Sequence, residues 1–169
     1  MPKNLEVKAR IKDPRVCEGI IKSIGSSFVG ILNQTDTYFH TRRGRLKLRE
    51  ITDAAAELIY YEREEETVHR LSQFDIVRCD NPSALKAILE ESVGIRGVVK
   101  KKRKLFMYNV TRVHLDEVEN LGHFLELETP VTLSVEESET INEYITDRLQ
   151  LSRDDFITGS YIDLLLSSR

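Results

Sequence analysis

Charged and apolar residues alternate along five stretches of this chain. Near its start Asn4, Glu6, Lys8 and Arg10 interleave with Leu5, Val7, Ala9 and Ile11. Arg45, Lys47 and Arg49 flank Leu46 and Leu48, and Lys101 and Arg103 sit two apart. Arg112, His114 and Asp116 flank Val113 and Leu115, and Glu126 and Glu128 flank Leu125 and Leu127. A strand turns successive side chains to opposite faces, so each stretch predicts a strand with one charged face.

The remaining elements follow from period and punctuation. Strands are expected over residues 4–11, 27–32, 37–40, 45–50, 57–63, 68–77, 97–107, 110–115 and 123–129. Gln34-Thr35-Asp36 reads as a bend, and Glu64-Glu65-Glu66 as a solvated turn. Asp13-Pro14 and Asn81-Pro82 are helix starts, a cap followed by proline at the first helical position. Val16, Ile20, Ile21 and Ile24 give the first helix its apolar stripe, ended by Gly25; Ala84, Leu85, Ile88 and Leu89 do the same before Gly94. Residues 134–149 carry Ile141, Ile145 and Leu149 at helical spacing, and a short last helix holds Tyr161, Leu164 and Leu165. About eight strands with short turns and three or four helices predict an α+β fold on an antiparallel sheet.

Composition narrows this picture. A chain of 169 residues is most simply one domain, residues 1–169, with 40% hydrophobic and 31% charged residues. The net charge is only −3, so bulk charge predicts no nucleic-acid partner and any basic site is local. Cys17 and Cys79 have no metal-like spacing and read as reduced thiols of a cytoplasmic protein. The first ten residues hold no apolar run, so no signal peptide is expected, and no stretch approaches the ~20 apolar residues of a membrane span.

A polar sheet face turned to water would by itself produce alternation. Here the polar positions are nearly all fully charged, and several strands are single-signed. Enough strands share the pattern to close a barrel, whose inward residues alternate along every strand. A charged lumen must hold water, ions or an anionic ligand. Arg45, Lys47, Arg49, Arg63, Lys101, Arg103 and Arg112 are suited to grip a triphosphate from several sides. Glu6, Asp116, Glu126 and Glu128 are hard oxygen ligands for Mg²⁺ or Mn²⁺.

Other signals carry less. Lys100 to Lys104 reads KKKRK, but alternation sends Lys101 and Arg103 one way and Lys100, Lys102 and Lys104 the other. His40, His69, His114 and His123 show no zinc spacing, and His114, although on the Asp116 face, reads as a satisfied structural histidine. No phosphate-binding glycine loop is present.

In these residues the chain resembles the CYTH, or triphosphate tunnel metalloenzyme, superfamily. Asn4-Leu5-Glu6-Val7-Lys8 matches its ExExK signature in the second Glu and the Lys, with Asn4 replacing the first Glu. The likeness continues through Gln34 to Phe39, Arg45 to Glu50, Tyr60 to Arg63, Lys101 to Arg103, Arg112 to Val118, Leu121 to Glu128 and Ser160-Tyr161. It implies a closed eight-stranded antiparallel tunnel that binds a triphosphate and a divalent metal. By that resemblance Glu6, Glu126 and Glu128 bind metal with Asp116 close by. Lys8, Lys47, Arg49, Arg63, Lys101, Arg103 and Arg112 hold phosphates, with Lys8, Arg63 and Asp116 catalytic. The look is nearest to class IV adenylyl cyclases, which implies conversion of ATP to cyclic AMP and pyrophosphate. An inorganic or thiamine triphosphatase, and a non-catalytic binder of phosphorylated ligands, are the alternatives. A homodimer through an outer face is compatible with such a barrel.

Overall fold

The computed structural model describes residues 1–132 and 134–168. Alternation is realised as β1 (Lys3–Arg10), β2 (Ser27–Phe39), β3 (Arg45–Ile51), β4 (Ala56–Arg63), β5 (Arg70–Cys79), β6 (Ile95–Tyr108), β7 (Thr111–Val118) and β8 (Gly122–Pro130). These eight strands close a barrel in the order β1-β5-β4-β3-β2-β6-β7-β8, with every neighbouring pair antiparallel. The expected α+β barrel is what forms.

One expectation is corrected. Residues 34–36 are not a bend: β2 runs unbroken for 13 residues. Gln34 and Asp36 pair with Ile51 and Arg49 of β3 on one side and with Lys101 and Val99 of β6 on the other. A ladder on both edges satisfies every backbone group and outweighs the local turn preference of Asp. Of the strands expected separately over 27–32 and 37–40, the structure makes one.

Among the described residues four α-helices decorate the barrel. The Asp13 carboxylate accepts from the Arg15 and Val16 amides to start α1 (Pro14–Ser23). Asn81 caps α2 (Pro82–Val93), and the Ser134 hydroxyl caps α3 (Val135–Arg148). Ser160 and Asp163 form a capping box on α4 (Tyr161–Ser167).

The two faces of the sheet have different fates. Outward residues Val7, Phe106, Val113, Leu115, Leu125 and Leu127 are buried beneath Ile21 of α1 and Ile145 of α3. Phe39 and Leu48 pack under Leu85 and Leu89 of α2. A further cluster lies inside one end of the barrel, where Tyr161 and Ile162 of α4 meet Tyr38, Tyr61, Val99, Val118 and Phe124. The start of α4 therefore stoppers that end. Gly97 makes room for it: a Cβ there would come within 2.5 Å of the Ile162 side chain.

Candidate active site

The inward face of the barrel lines a cavity of about 380 Å³. Seven bases reach it, namely Lys8, Lys47, Arg49, Arg63, Lys101, Arg103 and Arg112, and so do the carboxylates of Glu6, Glu57, Glu126 and Glu128. Period-2 geometry explains the gathering, because residues 6 and 8, 47 and 49, 101 and 103, and 126 and 128 share one face of their strands. Lys100 and Lys102 point outward and are exposed, so the basic run divides as its alternation predicts.

Two carboxylates anchor the bases. Asp36, 1% exposed, accepts a bidentate pair from Arg49 at 2.8 Å, with Lys47 at 3.2 Å and Lys101 at 3.5 Å. One carboxylate thus faces three cations. Burial works against its charge, but these neighbours win and hold Asp36 well below the usual carboxylate range. Asp116 takes a bidentate pair from Arg103 at 2.7 Å and a hydrogen bond from the Tyr161 hydroxyl at 2.7 Å. Burial opposes its ionisation, yet Arg103 brings it down to about 2.

The other ion pairs run along the inner wall, between directly opposed residues of adjacent strands for Lys8 and Arg112 and across one intervening strand for Arg63. Lys8 meets Glu126 at 3.1 Å, Arg63 meets Glu6 at 3.0 Å and Arg112 meets Glu128 at 2.8 Å. Lys8 also lies 3.8 Å from the centre of the Tyr161 ring, a cation–π contact. Burial lowers Lys8 to about 8 despite Glu126. Burial, with Arg103 adding repulsion, lowers Lys101 to about 7.

The residues singled out from the sequence therefore converge, with distinctions among them. Glu6, Lys8, Lys47, Arg49, Arg63, Lys101, Arg103, Arg112, Glu126 and Glu128 share the cavity. Asp116 stands behind Arg103 with both oxygens occupied. Arg45 is not a cavity residue: it lines a separate hollow at the α4 end and binds Glu65 and Asp163. Glu65, expected in a solvated turn, instead receives both Arg45 and Arg63. Asn4 faces the lumen, 5% exposed; with its amide nitrogen on the Lys3 carbonyl, its oxygen accepts from Arg112 at 3.3 Å.

Some residues have roles that the sequence reading did not give them. Asp36, expected in a bend and within the family-like stretch but given no part in the site, keeps phase with Gln34 and Tyr38 on the inward face. Arg70 is fully buried and donates to the Thr158 and Gly159 carbonyls, fastening the segment before α4. His114 is not a satisfied histidine. It is 3% exposed, lines the cavity, and its Nδ1 has no hydrogen-bond partner. Burial lowers it to about 4, so the ring is neutral near pH 7.

The register sorts the cavity into walls. Glu126 and Glu128 on β8 pair with His114 and Arg112 on β7. Leu32, Ile51, Ile59, Phe74 and Ile76 give an apolar lining on β2 to β5, which Leu105 of β6 extends to the edge of His114. Among the described residues, His114, Glu126 and Glu128 bring ligand atoms within 4.8 Å of one another, a donor set that fits a divalent cation.

Fold and lumen together define the class, a closed antiparallel tunnel with acids and bases intermingled in its interior. Residues 2–161 match the CYTH domain, and the chain belongs to that family. A protein of Methanocaldococcus jannaschii named "Putative adenylate cyclase" is 25% identical over 171 residues, spanning 95% of this chain and 97% of that one. A Pyrococcus horikoshii protein of solved structure superposes with a TM-score of 0.86 at 27% identity, over 95% of this chain and 98% of its own. The fold also matches a Hippeastrum protein described as a "putative adenylyl cyclase" that reveals a dominant triphosphatase activity. There the TM-score is 0.70 and the identity 15%, over 98% and 96% of the two chains.

Two expectations follow from the buried charges. Asp36→Ala leaves three cations without their shared anion and should cost about 3–5 kcal/mol of stability in urea denaturation. A loss under about 1 kcal/mol would contradict the anchoring role given to Asp36. For pH, the folded Lys101 sits near 7 against 10.5 for the free side chain. Between those values the unfolded chain binds more protons, so stability rises with pH through that window. Tyr38 and Tyr161 are pushed up by burial, so stability falls again above about pH 10, where only the unfolded phenols ionise. Urea midpoints of wild type should peak on the alkaline side, and Lys101→Met should flatten the rise.

Proposed function

We propose that this protein is a metal-dependent enzyme acting on an organic triphosphate in the barrel lumen, forming cyclic AMP and pyrophosphate from ATP. One observation carries the reading. A single cavity holds clustered cations, a carboxylate-rich wall and an apolar wall, the three surfaces that a nucleoside triphosphate–metal complex requires. Its volume of about 380 Å³ falls in the ~300–1,000 Å³ range of small-molecule sites.

In this reading Lys47, Arg49, Lys101 and Arg103 hold the β- and γ-phosphates, and Lys8, Arg63 and Arg112 complete the grip. Asp36 and Asp116 keep these bases in place, so little reorganisation accompanies the build-up of charge on the leaving group. Asp116 thereby acts by orienting Arg103. Glu126, Glu128 and the oxygen of Glu6 not used by Arg63 hold the divalent cation, which supplies Lewis-acid polarisation of phosphoryl oxygens and charge neutralisation. The apolar wall takes the organic part and presents the ribose 3′-hydroxyl to the α-phosphorus. As the 3′-oxygen bonds the α-phosphorus, its proton passes to solvent, the bond from the α-phosphorus to the bridging oxygen breaks, and pyrophosphate departs toward the bases.

A triphosphatase is the second reading, since the same bases would hold tripolyphosphate, and the Hippeastrum relative of this fold is described with that activity. Purified protein is to be incubated with ATP, tripolyphosphate and thiamine triphosphate in Mg²⁺ or Mn²⁺. Cyclic AMP and pyrophosphate in equal amounts from ATP are expected. Rapid phosphate release from tripolyphosphate with no cyclic AMP would replace the cyclase reading with the hydrolase one. Arg49→Ala should weaken ATP binding about 10–100-fold in calorimetry, the loss of a charge-assisted contact. Its melting temperature should fall, because Asp36 Oδ1 loses its arginine while Lys47 and Lys101 stay on Oδ2, so binding is to be read well below that transition.

A further inference from the structure

His114 is a cavity residue whose chemistry the proposed reaction leaves unused. Its imidazole is buried on β7, directly across the ladder from Glu126. A ring nitrogen lies within 4.8 Å of carboxylate oxygens of both Glu126 and Glu128, and Nδ1 has no hydrogen-bond partner. A buried polar group is normally partnered, so an imidazole with an unpaired nitrogen, whose ring also approaches two carboxylates, points to a ligand that joins them.

We propose that His114 is a metal ligand, so that the cation is held by one imidazole nitrogen and by oxygens of Glu126 and Glu128. This inference rests on the reading above only in placing a cation in the lumen. Cation bonds of about 2.1 Å set opposite ligands roughly 4.2 Å apart, so a slight inward movement of the three side chains closes the site. Two carboxylates neutralise a dication, and the neutral imidazole adds a bond without adding charge. Nitrogen ligation changes selectivity. Mg²⁺ favours oxygen and keeps its waters, whereas imidazole raises affinity for first-row transition metals. The site therefore prefers Mn²⁺ or Co²⁺ to Mg²⁺, and β1, with Asn4 in place of a carboxylate, contributes less to cation binding than β7 does.

The test uses the full chain and the metal alone. Pulsed EPR of Mn²⁺-loaded wild type should show coupling to a directly bound ¹⁴N, absent in His114→Gln. Calorimetry should give Mn²⁺ and Co²⁺ binding at least about tenfold tighter than Mg²⁺, with the ratio collapsing in His114→Gln. His40→Gln and His123→Gln should keep the nitrogen signal. Bound Mn²⁺ without ¹⁴N coupling in wild type overturns the inference and needs no variant to fold; so does unchanged coupling in His114→Gln or no binding at millimolar metal. Oxygen-only Mn²⁺ binding accompanied by cyclic AMP formation would defeat the histidine assignment and leave the cyclase reading intact. Nitrogen-bound Mn²⁺ with no turnover would do the reverse.

Discussion

Seven basic side chains cannot be taken into the middle of a barrel without anions to hold them there. The whole interior depends on that constraint. Asp36 and Asp116 meet it in the same way: each is buried at 1% exposure, and each receives a bidentate arginine. With all three of its bases protonated, the cluster around Asp36 is two anions short of neutral. That shortfall makes the surroundings of Asp36 the positive part of a lumen whose other bases face glutamates. The pairs of Lys8, Arg63 and Arg112 with glutamates of the same or neighbouring strands give the remaining bases their own partners.

The barrel is what makes such crowding tolerable. Closure removes sheet edges, so backbone groups are satisfied without drawing on lumen side chains. The outer face carries the burial that offsets the cost of the interior, through α1 and α3 on one side and α2 on another. At one end the phenol of Tyr161 both closes the barrel and bonds Asp116, so the stopper and the arginine clamp are one unit.

Much of this was legible in the sequence because strand period is simple. Residues 6 and 8, 47 and 49, 101 and 103, and 126 and 128 had to share a face, and alternation split the KKKRK run correctly. What escaped had physical reasons. Asp36 carries a turn-forming residue type, and only pairing on both edges of β2 reveals it as a strand residue aimed inward. Arg45 keeps phase with Lys47 and Arg49 but lies further toward the stoppered end, where Glu65 and Asp163 take it; period fixes the face, not the depth. His114 looked like any buried histidine, since the missing partner is a property of its surroundings. Arg70 and Tyr161 depend on contacts between segments some 90 residues apart or on a short C-terminal helix, which no local pattern encodes.

The stopper formed by α4 has a consequence for traffic. With Tyr161 and Ile162 filling one end, molecules enter and leave by the opposite rim. Whatever sits deepest among the bases must wait for whatever sits nearer the apolar wall. In the proposed reaction this order makes the organic product the first to leave and the inorganic fragment the last, so release of that fragment frees the tunnel.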